Sequence, residues 1–171
     1  MNLPHVIVVM GVAGSGKTTI GSLLSKRHGG RFFDADEFHP QSNRDKMTRG
    51  IALTDEDRLP WLTRLRTEVI ENSSLDTLTI LACSALKKHH REILSHTQIP
   101  IFYIYLTGSP ALLGERISSR EGHFMQPGML ASQLESLEPP SPTEALHIPI
   151  SLTPSEIISL IDLSLFSGPP P

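Results

Sequence analysis

The feature that most constrains this chain is a glycine-rich octapeptide between an apolar run and a helical pattern. Residues 11–18 match G-x-x-x-x-G-K-[ST] in full, and they follow the β-branched run at residues 6–10. Glycines let the backbone wrap closely, so that successive N–H groups point into one concavity. The positive end of the following helix adds to the attraction for anions. The octapeptide therefore predicts a phosphate-binding loop, whereas a glycine-rich turn without a ligand is the alternative.

The residue types in this loop indicate a nucleotide site with a metal ion. Lys17 is expected to reach the β- and γ-phosphates, and the Thr18 hydroxyl is expected to ligate Mg²⁺. Arg116, on a later helix end, is a candidate to stack on adenine. The predicted ATP site consists of Gly11, Val12, Ala13, Gly14, Ser15, Gly16, Lys17, Thr18, Thr19 and Arg116.

Apolar runs alternate with helical patterns along the chain, which favours an α/β fold with a parallel sheet and right-handed crossovers. Helices are predicted from the phosphate-binding loop to Gly29, from a cap at Asp55, and at residues 85–95, 109–119 and 155–166. Residues 37–50 form a polar stretch. Strands are predicted at residues 6–10, at 31–33 ending at Asp34, and at 78–83, 101–106 and 147–150.

Composition and charge bound the classes of protein that the chain can represent. It has 171 residues, which suits a single domain, and a net charge of −3, so no basic surface for nucleic acid is expected. Cys83 is the only cysteine, which fits a reducing compartment. The run at residues 6–10 is too short to span a bilayer, and residues 1–4 lack the pattern of a signal peptide. We expect a cytoplasmic protein without nucleic-acid or membrane partners.

Two carboxylates follow the second predicted strand. Asp34 and Asp36 are two positions apart, so in extended chain their side chains point to the same side. Phosphoryl transfer needs an oriented acceptor hydroxyl and a held Mg²⁺. We assign Asp36 to the acceptor hydroxyl and Asp34 to the metal ion. An aspartate-rich turn that caps a helix near Glu37 is the alternative.

Basic residues follow the third and fourth strands. Ser84 is a candidate helix cap, and Lys87, Lys88 and Arg91 place positive charge near the expected site, although a solvated helix face is the alternative. His89 and His90 are adjacent, so we expect them to diverge on a helix and not to share a metal ion.

Other features bear on the class of phosphate-binding protein. Arg116 and Arg120 lie four apart, and Arg120 is a candidate to reach the transferring phosphoryl group from a mobile lid at residues 120–133. Residues 167–171 are expected to form a short disordered tail.

A GTPase switch would need an N-K-x-D segment, and the sequence has none.

Several segments together resemble the gluconokinase family of the phosphate-binding-loop, shikimate kinase-like type. They include residues 34–62 with His39, Asn43, Lys46 and Arg58, and also residues 83–91, 120–124 and 137–140. The loop has Ala13 and Thr18 where serine is common, and both changes preserve the chemistry. The resemblance implies transfer from ATP, with Mg²⁺, to gluconate to give 6-phosphogluconate. It also implies a three-layer fold like that of shikimate and nucleoside monophosphate kinases, and often a homodimer.

The same resemblance implies roles for individual residues. The catalytic residues would be Lys17, Asp36 and Arg120, and Thr18 and Asp34 would serve the metal ion. Arg58 would bind the substrate carboxylate through its planar fork, or alternatively form an ion pair with Asp55 or Asp57. Another polyhydroxy acid as substrate, or a nucleotide-binding protein without acceptor activity, are the alternatives. The implied substrate-binding residues are Asp36, His39, Asn43, Lys46, Arg58, Lys87 and His123.

Overall fold

A parallel five-stranded sheet forms the centre of the computed structural model, which describes residues 4–119 and 127–166. The strand order is β2-β3-β1-β4-β5, and every neighbouring pair is parallel. Both the α/β class and the five-stranded parallel sheet were predicted, and the structure confirms them. The strands are β1 (Val6–Met10), β2 (Arg31–Asp34), β3 (Thr79–Ala82), β4 (Ile101–Thr107) and β5 (Ala145–Pro149).

Helices cover both faces of the sheet. A 3₁₀ turn at Ala35–Phe38 follows β2, and a π-helical segment at Arg66–Ile70 extends α3. No described helix is both long enough and apolar enough to cross a membrane. The helices are α1 (Lys17–His28), α2 (Gln41–Thr48), α3 (Asp55–Leu65), α4 (Lys88–Leu94), α5 (Pro110–Ser118), α6 (Pro127–Ser136) and α7 (Pro154–Leu165).

The alternation of side chains along β1 divides the core into two layers. Val6, Val8 and Met10 face one layer, which contains Trp61, Leu62 and Leu65 of α3. Ile7 and Val9 face the other, which contains Ile20 and Leu24 of α1 together with Ile157 and Ile161 of α7. All five residues of β1 are fully buried. The loop after Met10 is therefore held by a strand that is covered on both sides.

Two helix starts differ from the sequence-based expectation. Thr54, not Asp55, caps α3: its hydroxyl accepts from the Asp57 N–H (3.2 Å), and the Asp57 carboxylate accepts from the Thr54 N–H (2.9 Å). The helix predicted from Ala85 begins only at Lys88, because Ala85 has a φ of 43° in the left-handed region. Ser84 therefore caps no helix.

The polar stretch at residues 37–50 contains α2, which the apolar pattern did not indicate. Residues 127–133 of the predicted lid lie in α6, and residues 120–126 lie outside the described residues. The predicted tail at residues 167–171 is outside them as well. The mobility of the lid stays a prediction.

Candidate active site

The phosphate-binding loop is shaped by glycines with left-handed backbone. Gly14 and Gly16 have φ values of 77° and 92°, which L side chains rarely adopt. Gly16 precedes α1 without a side-chain cap, so the N–H groups of the first helical turn stay directed at the cleft. Lys17 donates from Nζ to the carbonyl of Val12 across the loop (3.0 Å). The loop thus presents main-chain donors and one ammonium group to an anion.

A cleft of about 410 Å³ opens above this loop. It brings together most of the residues that the sequence assigned to nucleotide and metal ion, including Asp34 and Asp36. Arg116 is near the loop as well, since a Cβ built on Gly16 would lie 3.8 Å from the Arg116 guanidinium. The cleft is lined by Ala13, Gly14, Gly16, Lys17, Thr18, Thr19, Asp34, Asp36, Ala82, Ser84 and Ile117.

Asp34 and Thr18 form a pair of oxygen donors at the end of β2. The Thr18 hydroxyl donates to Asp34 Oδ2 (2.8 Å), and Asp34 Oδ1 accepts from the Asp36 N–H (3.1 Å). Hydroxyl and carboxylate oxygens are the ligands that Mg²⁺ prefers. The pair therefore fits the metal ion that the sequence assigned to these two residues.

Asp36 reaches the cleft for a different reason than expected. It lies in the 3₁₀ turn after β2, so strand alternation does not set its direction. Its side chain is 76% exposed, and it lines both the nucleotide cleft and a second, adjoining cavity. The carboxylate thus lies where the two spaces meet.

The second cavity has a volume of about 90 Å³. Ala13, Lys17, Asp36 and Ser84 line both spaces, so the phosphate-binding loop forms their common wall. The sequence assigned His39 and Arg58 to substrate binding, and both are here. The other lining residues are Met47, Ala52, Leu53, Trp61, Leu86, Met129, Ser132 and Gln133. We call this space the acceptor cavity.

His39 is buried in the wall of the acceptor cavity, and its imidazole is neutral. Its ring stacks on Trp61, with centroids 4.1 Å apart, and Trp61 Nε1 donates to the Ala35 carbonyl (2.7 Å). Burial, together with the nearby Arg58 and Arg44 charges, lowers the pKa of His39 to about 4. Asn43 is buried beside it and donates from Nδ2 to the Asp57 carbonyl (2.9 Å).

Arg58 is the cation that lines the acceptor cavity from α3. Its NH1 donates to the Leu53 carbonyl (2.6 Å) and lies 3.9 Å from Asp55 Oδ1. No described residue accepts a hydrogen bond from its Nε or NH2. Burial lowers the pKa of Arg58, although nearby Asp55 opposes that shift. The ion pair with Asp55 is therefore long, and part of the guanidinium fork is left for a ligand.

Two other predicted substrate residues have carboxylate partners on α3. Lys46 Nζ lies 2.7 Å from Asp57, and Lys87 Nζ lies 2.7 Å from Asp55. Among the described residues that line the two spaces, neither lysine is present. Both lysines thus pair with carboxylates on α3, and their role in substrate binding stays a prediction.

Asp55 is at the centre of a cluster of side chains that the sequence did not predict. His89 and His90 were expected to diverge, but their ring centroids are 4.4 Å apart and both rings reach Asp55. Three ligand atoms of these residues lie within 4.8 Å of one another. The hydrogen bonds oppose a metal ion, because the Lys87 N–H donates to His90 Nδ1 (3.3 Å) and so leaves the proton on Nε2.

The protonation states in this cluster have identifiable causes. His90 Nε2–H donates to Asp55 Oδ1 (3.2 Å), and burial lowers the pKa of His90 to about 4 despite that contact. The hydrogen bond from Lys87 lowers the pKa of Asp55 to about 2. The cluster therefore holds one carboxylate, one ammonium group and a neutral buried imidazole.

The remaining cations have other positions. Arg91 is buried and lines neither space, with Nε 2.6 Å from Glu144 and NH1 donating to the carbonyls of Glu138 (3.0 Å) and Leu86 (3.3 Å). Arg91 was expected to place positive charge near the site, and it lies behind Leu86 of the acceptor-cavity wall, where Glu144 pairs with it. Arg120 and His123 lie outside the described residues. Gln133 is a cavity residue that sequence reasoning missed, since a lone glutamine in a helix has no distinguishing pattern.

Comparison with known proteins assigns the family. The sequence profile of the shikimate kinase family matches residues 13–139. A gluconokinase of Arabidopsis thaliana is 41% identical over 170 residues, covering 91% of this chain and 89% of the relative. This chain belongs to the gluconokinase family. It is therefore a kinase, and the resemblance predicted from its motifs is confirmed.

Solved structures agree with the gluconokinase assignment. A gluconokinase from Sinorhizobium meliloti 1021 has a TM-score of 0.85 at 35% identity, covering 97% of this chain and 94% of that one. A sugar kinase from Janibacter sp. HTCC2649 has a TM-score of 0.87 at 38% identity, covering 95% of both chains. The gluconokinase fold thus extends over nearly all of this chain.

Proposed function

We propose that this protein transfers the γ-phosphoryl group of ATP to D-gluconate and forms 6-phospho-D-gluconate. The observation that carries the proposal is the pair of adjoining spaces with a common wall. Ala13, Lys17, Asp36 and Ser84 belong to both, so a phosphoryl group held by the loop is next to an acceptor in the smaller cavity. Phosphoryl transfer depends chiefly on such positioning and on stabilisation of charge.

On the nucleotide side, the loop amides and Lys17 bind the phosphates. Thr18 and Asp34 hold Mg²⁺, which neutralises charge on the transferring phosphoryl group when it is bound. Arg116 extends from α5 toward the loop and contributes further positive charge. Arg120 remains a proposed catalytic residue that acts from the lid side.

On the acceptor side, Asp36 orients the attacking hydroxyl and accepts its proton. Arg58 binds the gluconate carboxylate with the part of its fork that Leu53 leaves unused. His39 and His123 contact the sugar hydroxyls. Asn43, Lys46 and Lys87 belong to the surrounding shell: Asn43 contacts His39, and the lysines fix carboxylates on α3.

A test of the proposal compares gluconate with glucose in an assay for ADP release. A site built on polar contacts to one substrate group rejects an analogue without it by about 10⁴ or more. We expect efficient phosphorylation of gluconate and almost none of glucose. Similar kcat/KM values for the two would show that the site does not select a sugar acid.

Three further features of the proposed enzyme stay predictions. They are a single domain over residues 1–171, a cytoplasmic location that fits the buried Cys83, and a homodimer.

A further inference from the structure

A polar contact joins helix α6 to the phosphate-binding loop. The Ala13 N–H donates to Gln133 Oε1 (2.7 Å). Because a backbone N–H only donates, the glutamine atom that faces it must be the oxygen, and the amide orientation is assigned. Gln133 thus occupies a main-chain donor of the same loop that is proposed to bind phosphate.

The donor that Gln133 occupies faces the acceptor side. Gln133 lines the acceptor cavity together with Lys17 and Asp36, and it is absent from the described lining of the nucleotide cleft. The γ-phosphoryl group must pass from one space to the other during transfer. Of the nucleotide's phosphates, we therefore expect the γ-phosphate to come nearest to the Ala13 N–H.

The same helix closes the acceptor cavity. Met129, Ser132 and Gln133 form one wall of a space of about 90 Å³. A dry cavity of about 150 Å³ holds a molecule as small as benzene, so a six-carbon sugar acid needs more room than this. We therefore expect the wall formed by α6 to move outward when the acceptor binds.

The far end of α6 is fixed, so the helix can move about that end. The Glu138 N–H donates to the Leu86 carbonyl (2.9 Å), and the Glu138 carboxylate accepts from the Lys88 N–H (2.7 Å). The Arg91 guanidinium donates to the Glu138 carbonyl (3.0 Å). Gln133 lies about one helical turn before this anchor, and its contact with Ala13 is a second polar tie between α6 and the rest of the protein.

We propose that Gln133 is a latch between α6 and the phosphate-binding loop, and that the γ-phosphate of ATP releases it. In the free protein, Gln133 Oε1 occupies the Ala13 N–H and holds α6 across the acceptor cavity. A γ-phosphate oxygen replaces Gln133 on that donor, and the freed helix admits the acceptor. This inference rests on the proposed ATP-dependent transfer. It makes Gln133 a positioning residue that favours binding of ATP before gluconate.

The latch predicts opposite effects of two substitutions on the binding of ATP. Gln133→Ala removes the competitor, so a non-hydrolysable ATP analogue should bind about fivefold more tightly, the factor expected for one neutral hydrogen bond. Gln133→Glu places a charged acceptor on Ala13 and a negative charge beside the γ-phosphate, so the analogue should bind roughly tenfold more weakly. ADP has no γ-phosphate, and its affinity should change little in either variant.

The experiment is calorimetric titration of both nucleotides, with Mg²⁺, into the wild type and the two variants. Glu135→Ala is the matched control, because Glu135 is exposed on the same helix. The latch is supported if the ratio of ATP-analogue to ADP affinity rises in Gln133→Ala, falls in Gln133→Glu and stays constant in the control. Equal changes for both nucleotides, no change, or a matching change in Glu135→Ala would overturn it.

A second measurement links the latch to the acceptor. Gluconate binding to the wild type should tighten about fivefold when the ATP analogue is present, and Gln133→Ala should bind gluconate equally well with and without it. Persistence of that coupling in Gln133→Ala would contradict the latch. If the wild type binds nucleotides but neither binds nor phosphorylates gluconate, the proposed substrate is wrong, and the nucleotide titrations still decide the latch.

Discussion

The two halves of the active site differ in whether main chain or side chains form them. The nucleotide half is mainly backbone, with glycine φ values of 77° and 92° and one lysine that bonds its own loop. The acceptor half brings together side chains from distant parts of the chain, and other side chains hold several residues in and around it: His39 stacks on Trp61, Lys46 pairs with Asp57 and Lys87 pairs with Asp55. The phosphate-binding loop of the first half is one continuous segment, whereas the second half brings together residues that are distant in the sequence.

This difference determines how each half responds to substitution. Main-chain donors persist when a side chain changes, so damage to the nucleotide half is confined to the few side chains that contact the phosphates. In the acceptor half, removing one charge leaves its partner without a counter-charge. We therefore expect substitutions in the common wall of the two spaces to lower kcat sharply. Substitutions elsewhere in the acceptor half should lower substrate affinity and protein stability more gradually.

The largest effect is expected at the junction between the halves. Asp36→Asn should bind ATP normally but lose transfer by about 10²- to 10⁴-fold in kcat, because an amide cannot accept the hydroxyl proton. Single-turnover kinetics and nucleotide titration measure the two properties separately. Glu37→Gln, the exposed neighbour, is the control and should keep full activity. A fully active Asp36→Asn enzyme would remove Asp36 from its proposed role.

A somewhat smaller loss is expected from the nucleotide half. Lys17→Ala should fold, because the surrounding loop is held by backbone, and should lose about 10²- to 10³-fold in kcat with the loss of one strong contact to the transition state. Circular dichroism and steady-state kinetics test the two statements. Lys26→Ala, at an exposed position on the same helix, should behave like wild type. Near-normal turnover by Lys17→Ala would show that the loop is not the phosphate site.

The acceptor half should instead show a loss of affinity. Arg58→Met removes the proposed partner of the carboxylate and should raise the KM for gluconate about 10- to 100-fold, the range for a hydrogen bond to a charged group, with the KM for ATP nearly unchanged. Arg49→Met, an exposed arginine at the end of α2, is the matched control. Unaltered gluconate kinetics in Arg58→Met would return Arg58 to a structural role beside Asp55.

The smallest effect concerns pH and the support behind the acceptor half. Folding lowers the pKa of His90 from 6.5 to about 4, so the unfolded chain binds the proton between those values, and the folded state loses stability as the pH falls through that range. His90→Gln does not titrate, so the loss of stability between pH 7 and pH 5 should shrink by about 1 to 2 kcal/mol, or about 3 to 6 °C in Tm. Thermal melts at both pH values measure this. A fall in Tm as steep as that of wild type would mean that His90 is charged when folded.

Sequence patterns predicted the elements with continuous apolar cores and failed where polar contacts decide. The strand at residues 6–10 and the helix after Gly16 were predicted correctly because their signals are local. Helix α2 has Met47 as its single aliphatic residue, and a buried Asn43 docks it to the Asp57 carbonyl. Such a contact between residues distant in sequence leaves no periodicity to detect.

The site shows the same division. The loop and the Thr18–Asp34 pair follow from a motif and from the rule that parallel strands end at one edge. The Asp55 cluster joins residues 32 to 35 positions apart, and the Ala13–Gln133 contact joins residues 120 positions apart. Nothing in the sequence marks these residues as neighbours. In the acceptor half, the sequence thus predicted several of the residue types but not their partners.

The strand order has a consequence for how the chain matures during translation. β1 lies between β3 and β4, and Val6 pairs with Thr79 on one side and Ile101 on the other. The strand that carries the phosphate-binding loop leaves the ribosome before both of its neighbours, and β4 follows it only after about 5 to 20 seconds at roughly 5 to 20 residues per second. During that interval β1 is an apolar strand with an open edge, which favours aggregation. We therefore expect nascent chains that stop before β4 to require a holding chaperone and to lack affinity for ATP.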